Sequence, residues 1–356
     1  MRQHMQRALE LGWGALGTTS PNPAVGCVIV RDGEVVGEGW THPPEQQHAE
    51  AAALEQAGEQ ARGATLYTTL EPCNHYGRTP PCSEAIIAAG VAEVRIAVED
   101  PNPNVAGGGV ARLNEAGIGT HTGECAAEGA RLIEAFAKHS GTGMPFVTAK
   151  YAMSLDGKIA ARSGDSKWIS GEESREFAHL LRAQSDAIMV GINTVLADDP
   201  QLTARDADGS ANERQPLRVV LDSHGRMPQD AQMLSAPGDT VVVVADDFEG
   251  RECDGAETVR VPEGRGGVDL RVLLEGLGAR DITSVLVEGG GATIGALFDL
   301  KLVDKVVAFV APVIIGGNEA ISPVGGVGIT EMEEALRLRD VEMKRFGEDV
   351  AVIGYI

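Results

Sequence analysis

Residues 48–87 read HAEAAALEQAGEQARGATLYTTLEPCNHYGRTPPCSEAII. The stretch falls into a helix over 48–60, a strand "ATLYTTL", a Pro-rich loop, and a helix from about Ser83 that stops at Gly90, a natural C-cap. Two cysteines, Cys73 and Cys82, each follow a proline, and both lie downstream of His48 and Glu50. One imidazole and two thiolates are the donors of a zinc site with three protein ligands, whose fourth position is left to water. His75, inside the loop, competes as a ligand. Cys27, Cys125 and Cys253 show no partner pattern and read as small buried hydrophobes.

The same alternation runs on both sides. Upstream, a helix over 2–16 precedes the strand "AVGCVIV", the turn Asp32-Gly33 and "EVVGEGW", a hairpin signal. Downstream come "VRIAVED" and helices near 110–116 and 126–138. Gly107–Gly109 reads as a loop and not a phosphate cradle, since no clear strand leads into it. Strands alternating with helices imply an α/β layered fold. "HSGTGMPFV" then breaks the pattern, which places a domain boundary near 140–144 and gives domains of 1–143 and 144–356.

A second α/β series follows. Its segments are "PFVTAKYAMS", a helix over 172–183, "DAIMVG", "LRVVLD", "TVVVVA", a helix over 268–277, "SVLVEGG", the helix "ATIGALFDL" and "KVVAFVAPVII". The tail "DVEMKRFGEDVAVIGYI" reads as a hairpin turning at Gly347-Glu348, so the sheet should end in antiparallel strands. In "SVLVEGGGATIGALF" a strand runs through Glu288 and Gly289–Gly291 into a helix. Main-chain N–H groups at such a start form an anion site, and glycine lets a pyrophosphate approach closely. A tight strand-to-helix turn would demand the same glycines.

Composition narrows the classes of function. The chain has 356 residues, 43% hydrophobic and 23% charged, which suits a globular protein of two or three domains. No apolar run is long enough for a membrane span, and "MRQHMQRALELGWGAL" reads as an amphipathic helix and not a signal peptide. Five cysteines make no disulfide framework at this length, so the reducing cytoplasm is the expected compartment. A net charge of -22 argues against a nucleic-acid partner, which needs a basic surface.

H-x-E…P-C-x-x-C is the signature of zinc nucleobase deaminases, in which zinc lowers the pKa of its water to about 7 and the Glu acts as general acid and base. Glu50, two residues past His48, is placed to move that proton. Eight residues separate the cysteines here, not two. "EPCNHYGRTPPC" resembles the deaminase half of the bifunctional riboflavin-biosynthesis family, diaminohydroxyphosphoribosylaminopyrimidine deaminase / 5-amino-6-(5-phosphoribosylamino)uracil reductase, in which the longer loop is usual. "SPNPAVGCVIV", "GEGWTHPPEQQHAE" and "VEDPNPNVAGGGV" share that resemblance. It implies a cytidine-deaminase-like three-layer domain holding one zinc through His48, Cys73 and Cys82, with Glu50 catalytic. Asn22 and His42 would lie near the pyrimidine, and Asp100 and Asn102 at the opposite rim.

"AKYAMSLDGKIA", "SGDSKWIS", "LLRAQSDAIMVGINTVLADDPQLTAR" and "VEGGGATIGALF" resemble the reductase half of the same family, which has a dihydrofolate-reductase-like α/β fold. By that resemblance Ala152, Trp168, Thr194, Asp198, Gly289, Gly290 and Gly291 line an NADPH site. Ser223 or Arg226 would meet the 2′-phosphate. Ser166, Arg182, Leu202, Arg205 and Glu288 would face the substrate, the two arginines as forks for a ribose 5-phosphate. Lys158 could be part of this site or a solvated charge. The resemblance also implies small-molecule pyrimidine ribose phosphates as substrates and a homo-oligomer formed through the reductase domain.

Overall fold

A computed structural model describes residues 2–75, 80–102 and 105–356; the middle of the loop between Cys73 and Cys82, and Pro103 and Asn104 of the "DPNPN" stretch, lie outside it. The chain divides into two compact units, Met1–Met144 and Pro145–Ile356.

The first unit is built on five strands, β1 (Gly26–Arg31), β2 (Glu34–Trp40), β3 (Thr65–Leu70), β4 (Glu93–Val98) and β5 (Gly119–Thr122), in the order β2-β1-β3-β4-β5. β1 pairs antiparallel with β2 and β3, while β3, β4 and β5 run parallel. Among the described residues six α-helices accompany them: α1 (Arg2–Ala15), α2 (Ala49–Ala57), α3 (Cys82–Ala89), α4 (Gly108–Glu115), α5 (Ala126–Leu132) and α6 (Glu134–Thr142). Buried residues Met5, Ala8, Leu9, Gly12 and Ala15 lie on one face of α1 at helical spacing. Burying Met5 and Leu9 contributes about 1.5–3 kcal/mol each.

Two close approaches fix the layers. A Cβ at Gly26 would meet Ala8 O of α1 at 1.8 Å, and one at Gly39 would meet Ala49 O of α2 at 2.3 Å. Gly39 lies opposite Cys27, the strand neighbour of Gly26, so the two helices cover opposite faces of the sheet. This three-layer arrangement presses the start of α2, which carries His48 and Glu50, onto the end of β2.

Several boundaries differ from the sequence reading. The helix expected over 48–60 ends at Ala57, because Gly58 takes φ 51 and the chain tightens into a 3₁₀ turn, Gly58–Ala61. The helix expected over 126–138 is two, broken at Ile133 (φ -107, ψ 15). Gly107–Gly109, read as a loop, opens α4 instead: Gly107 is its N-cap and Gly108 its first residue.

The second unit holds strands β6 (Phe146–Ser154), β7 (Ala187–Gly191), β8 (Leu217–Leu221), β9 (Thr240–Ala245) and β10 (Glu257–Val261). A small ribbon follows, β11 (Glu263–Gly264) and β12 (Gly267–Val268), then β13 (Ser284–Glu288), β14 (Lys305–Ala311), β15 (Arg339–Phe346) and β16 (Asp349–Tyr355). The main sheet has the order β10-β9-β8-β7-β13-β6-β14-β16-β15. Its first seven strands are parallel; β16 and β15 close it antiparallel, turning at Gly347 as the tail's pattern predicts. β7 and β9 are buried almost throughout, as parallel strands covered on both faces must be. The helices are α7 (Glu172–Ala183), α8 (Ile192–Asp198), α9 (Gln232–Ser235), α10 (Leu270–Gly278) and α11 (Gly291–Asp299). Because the strands are parallel, the segments following β6, β7, β8 and β13 emerge along one sheet edge, where ligands of open α/β sheets collect.

Candidate functional sites in the two units

His48 is the N-cap of α2, Cys73 lies in the loop after β3, and Cys82 is the first residue of α3. Their ligand atoms all lie within 4.8 Å of one another. His48 Nδ1 is 3.6 Å from Cys73 Sγ and 3.4 Å from Cys82 Sγ. The Cys73 thiol is pulled well below its ordinary pKa, first by the hydrogen bond from Cys82, then by the His48 ring. The Cys82 main-chain N–H also donates to Cys73 Sγ, at 3.3 Å. A thiolate beside an imidazole is the donor chemistry zinc selects, so the three residues fit that ion. His75, the alternative ligand, is exposed and stands outside the group.

Glu50 lies in the first turn of α2 and is 4% exposed. Thr68 Oγ1 donates to Glu50 Oε1 at 3.2 Å, and no cation pairs with it among the described residues. Burial pushes its carboxyl up, and the negative charge of Cys73 adds to the effect. That is the environment in which a carboxyl gives and takes a proton near neutral pH.

The residues expected at the pyrimidine's rim sit on three segments. His42 follows β2 and stacks on Trp40 with ring centroids 5.5 Å apart. Asn22 lies in the turn before β1, its N–H donating to Thr19 O. Asp100 is buried beyond β4, and its Oδ1 accepts from Asn102 N at 2.8 Å. Glu71, which the sequence reading passed over, ties that rim to the metal-type loop. Its carboxylate accepts from the N–H groups of Asp100 (3.2 Å), Gly107 (2.9 Å) and Val110 (3.0 Å).

In the second unit the glycine turn after β13 meets α8. Cβ atoms at Gly289 and Gly290 would stand 3.2 and 3.3 Å from Thr194 Oγ1, so a side chain at either position would crowd that hydroxyl. Glu288, the last residue of β13, has its carboxylate engaged by two cations: it accepts from Arg182 Nε (2.6 Å) and Nη2 (3.0 Å), and Lys150 Nζ lies 3.6 Å away. Burial alone would raise its pKa, but the two cations outweigh burial and hold it at about 2. Lys150 is a second residue that sequence reasoning missed. Its own pKa is pushed down, chiefly by burial.

The other expected residues lie on β6 and on the segments that follow β6, β7 and β8. Ser166 Oγ donates to Asp198 Oδ1 at 3.0 Å. Trp168 is 72% exposed with the Arg175 guanidinium 4.8 Å from its ring centre. Arg205 donates to Thr203 Oγ1 at 3.0 Å. Ser223 follows β8, and its Oγ faces Gly267 of the β11–β12 ribbon. Ala152 lies on β6, packed against the cluster around Phe309. The Leu202 side chain belongs to the apolar core with Ile192, Val195 and Met227. An expectation that Leu202 faces a substrate therefore reduces to its main chain.

Residues 1–98 match the cytidine and deoxycytidylate deaminase zinc-binding region, and residues 145–352, more than half of the chain, match the RibD C-terminal domain. The chain belongs to the RibD family. It is 42% identical over 358 residues to the riboflavin biosynthesis protein RibD of Escherichia coli strain K12, covering 98% of this chain and 97% of that protein. Identity to RibD of Aquifex aeolicus strain VF5 is 41% over 352 residues, with 99% and 97% covered. Acinetobacter baumannii RibD, form 1, superposes with a TM-score of 0.88 at 40% identity, over 99% of this chain and 98% of that one. A diaminohydroxyphosphoribosylaminopyrimidine deaminase/5-amino-6-(5-phosphoribosylamino)uracil reductase from Thermotoga maritima gives 0.88 at 34% identity, with 99% and 98% covered. RibD chains carry a zinc-binding deaminase region and an NADPH-using reductase domain, and the two units here correspond to them.

Proposed function

We propose that the first unit hydrolytically deaminates 2,5-diamino-6-ribosylamino-4(3H)-pyrimidinone 5′-phosphate. The second then reduces the ribosyl group to ribityl with NADPH, giving 5-amino-6-ribitylamino-uracil 5′-phosphate. The observation that carries this reading is the pairing of a His48–Cys73–Cys82 donor group with a buried Glu50 in the first turn of α2, which forms no ion pair among the described residues. Zinc held there supplies a Lewis acid that makes water nucleophilic at neutral pH. Glu50 takes the proton from the water and delivers it to the departing amine, and Thr68 holds the carboxylate in place. Asn22, His42, Asp100 and Asn102 are our candidates for the pyrimidine's rim.

In the second unit the bound cofactor supplies hydride. Gly289, Gly290 and Thr194 would receive its phosphates, with Gly291, Ala152, Trp168, Asp198 and Ser223 along the same edge. Lys150 and Arg182 set two buried cations against one carboxylate, Glu288. The surplus positive charge, inside a chain of net charge -22, suits a phosphate or a developing oxyanion of the sugar. Ser166 and Arg205 would complete the substrate side.

We extend the proposal to assembly and location. The edge strand β15 and the segment before it expose Ile314, Val327, Met332 and Met343, apolar surface that a second copy of the reductase unit would cover. The acidic charge speaks against nucleic acid, no helix among the described residues is long and apolar enough to cross a membrane, and we place the enzyme in the cytoplasm.

The test is Glu50→Gln incubated with the diaminopyrimidine phosphate, with ammonia release and NADPH loss scored separately. Zinc content and reduction of the deaminated substrate should persist while ammonia release falls about 10²–10⁴-fold. Near-normal ammonia release would show that another residue carries the proton.

A further inference from the structure

α11 carries Gly291 and Gly295 one turn apart on one face, and a strap formed by residues 320–328 lies against that face. A Cβ at Gly291 would stand 2.5 Å from Ser322 O, and one at Gly295 would stand 2.2 Å from the carbonyl carbon of Gly325. Gly325 N donates to Gly291 O at 2.8 Å. Asp299, in the last turn of α11, accepts from Val327 N at 2.7 Å and Gly328 N at 3.3 Å. The strap's other end is tied to the turn after β6. Ile159 N donates to Ile321 O at 2.9 Å, and Lys158 Nζ donates to Ala320 O at 3.3 Å.

The three glycines of the turn therefore serve two different neighbours. Gly289 and Gly290 give room to Thr194, whereas Gly291, with Gly295, gives room to the strap. A main chain packed on a helix with no side chains between them is a contact that one methyl group disrupts, because interiors are close-packed and do not deform continuously.

We propose that the strap is a positioning element for the NADPH phosphates: it sets the place of the first turn of α11, and Gly295 and Asp299 are its anchors. This rests on the reading that the glycine turn receives those phosphates. A cofactor anchored on main-chain N–H groups is sensitive to their placement, so a small displacement of the helix start weakens binding without touching any group that contacts the ligand.

Gly295→Ala isolates the effect. Alanine is the better helix former, so a helix that owed nothing to the strap would gain stability from the change. The strap reading expects the opposite. In full-length enzyme, the dissociation constant for NADPH, measured by calorimetric titration without substrate, should rise about ten- to a hundredfold. The Michaelis constant for NADPH should rise with it, while kcat at saturating NADPH and ammonia release stay near normal. Asp299→Asn, which keeps the size of the side chain and loses one of two acceptors, should show the same split more weakly and covers the case in which Gly295→Ala does not fold. Gly290→Asp, run alongside, tests the reading underneath. If Gly290→Asp weakens NADPH binding and both strap variants bind normally, the strap has no positioning role and the proposal is overturned. If none of the three changes the affinity, the glycine turn does not hold the phosphates, and both readings fall together.

Discussion

Gly107 and Gly290 stand at the starts of α4 and α11, with φ 75 and φ 78, and each is followed by further glycine. Their surroundings are opposite. At α4 the Glu71 carboxylate already accepts from Gly107 N and Val110 N, so the chain supplies the anion that the helix start attracts. At α11 the nearest carboxylate in sequence, Glu288, is drawn off by Arg182 and Lys150. Among the described residues no side chain accepts from the N–H groups of Gly291, Ala292 or Thr293. A glycine run before a helix is thus not enough to mark a phosphate site. What decides is whether a neighbouring acid fills it, and at α11 two cations keep the acid away.

The largest effect expected from this contrast is at Glu288. Glu288→Gln leaves Arg182 and Lys150 buried with no counter-charge, which costs about 3–5 kcal/mol. Unfolding of the second unit should shift accordingly, with ammonia release retained. An unchanged unfolding midpoint would show that the cations do not depend on this acid.

The same group gives a pH dependence. Its folded pKa of about 2 lies below the ordinary value of 4.5, so the pair's stabilisation is present above about 4.5 and is lost as pH falls toward 2. A shift of that size is on the order of 3 kcal/mol. The stability gap between wild type and Glu288→Gln should therefore narrow between pH 6 and pH 3. A gap of constant size would mean that Glu288 is not held ionised by its partners.

Glu71 breaks the contrast from the other side. Glu71→Gln turns an amide N–H₂ toward main-chain donors that a carboxylate had satisfied, at about 1–3 kcal/mol. Zinc content and NADPH oxidation with deaminated substrate should hold, while the Michaelis constant for deamination rises. If that constant is unchanged in a folded variant, Glu71 supports the fold alone and does not place the rim at Asp100 and Asn102.

The two regions were unequally legible for reasons the same residues expose. His48, Glu50, Cys73 and Cys82 fall within 35 positions, on a helix start, a loop and a second helix start, so their spacing reports their meeting. The hairpin at Gly347 and the C-cap at Gly90 were readable because a turn is a local event. Glu71 was not, because its partners lie 29 to 39 residues ahead and an acid held by N–H groups looks in sequence like a solvated one. Lys150 alternates with apolar neighbours along β6 and gives no sign that it will face a buried acid on β13. Gly107–Gly109 was misread because the strand-into-glycine rule asks what precedes the run, whereas here a side chain from another loop completes the helix start.

The smallest and most direct test changes one hydrogen to a methyl at each helix start. Gly107→Ala adds a Cβ that meets nothing within 4 Å, so its cost is only that of holding a non-glycine residue left-handed, roughly 1–2 kcal/mol. Gly290→Ala carries a larger backbone cost, because φ 78, ψ 98 lies outside the left-handed helical region, and sets its methyl 3.3 Å from Thr194 Oγ1. Both variants should therefore melt earlier, Gly290→Ala the more so, and thermal unfolding alone does not report on the cofactor. Function should: the Michaelis constant for NADPH rises several-fold, roughly 1 kcal/mol, only in Gly290→Ala, while Gly107→Ala leaves both reactions at their normal constants because Glu71 still fills the start of α4. If the two variants changed NADPH binding equally little, the glycine at 290 would serve its turn and nothing else. A loss of deamination in Gly107→Ala would instead mean that the first helix start also takes part in holding substrate, and that Glu71 does not fill it completely.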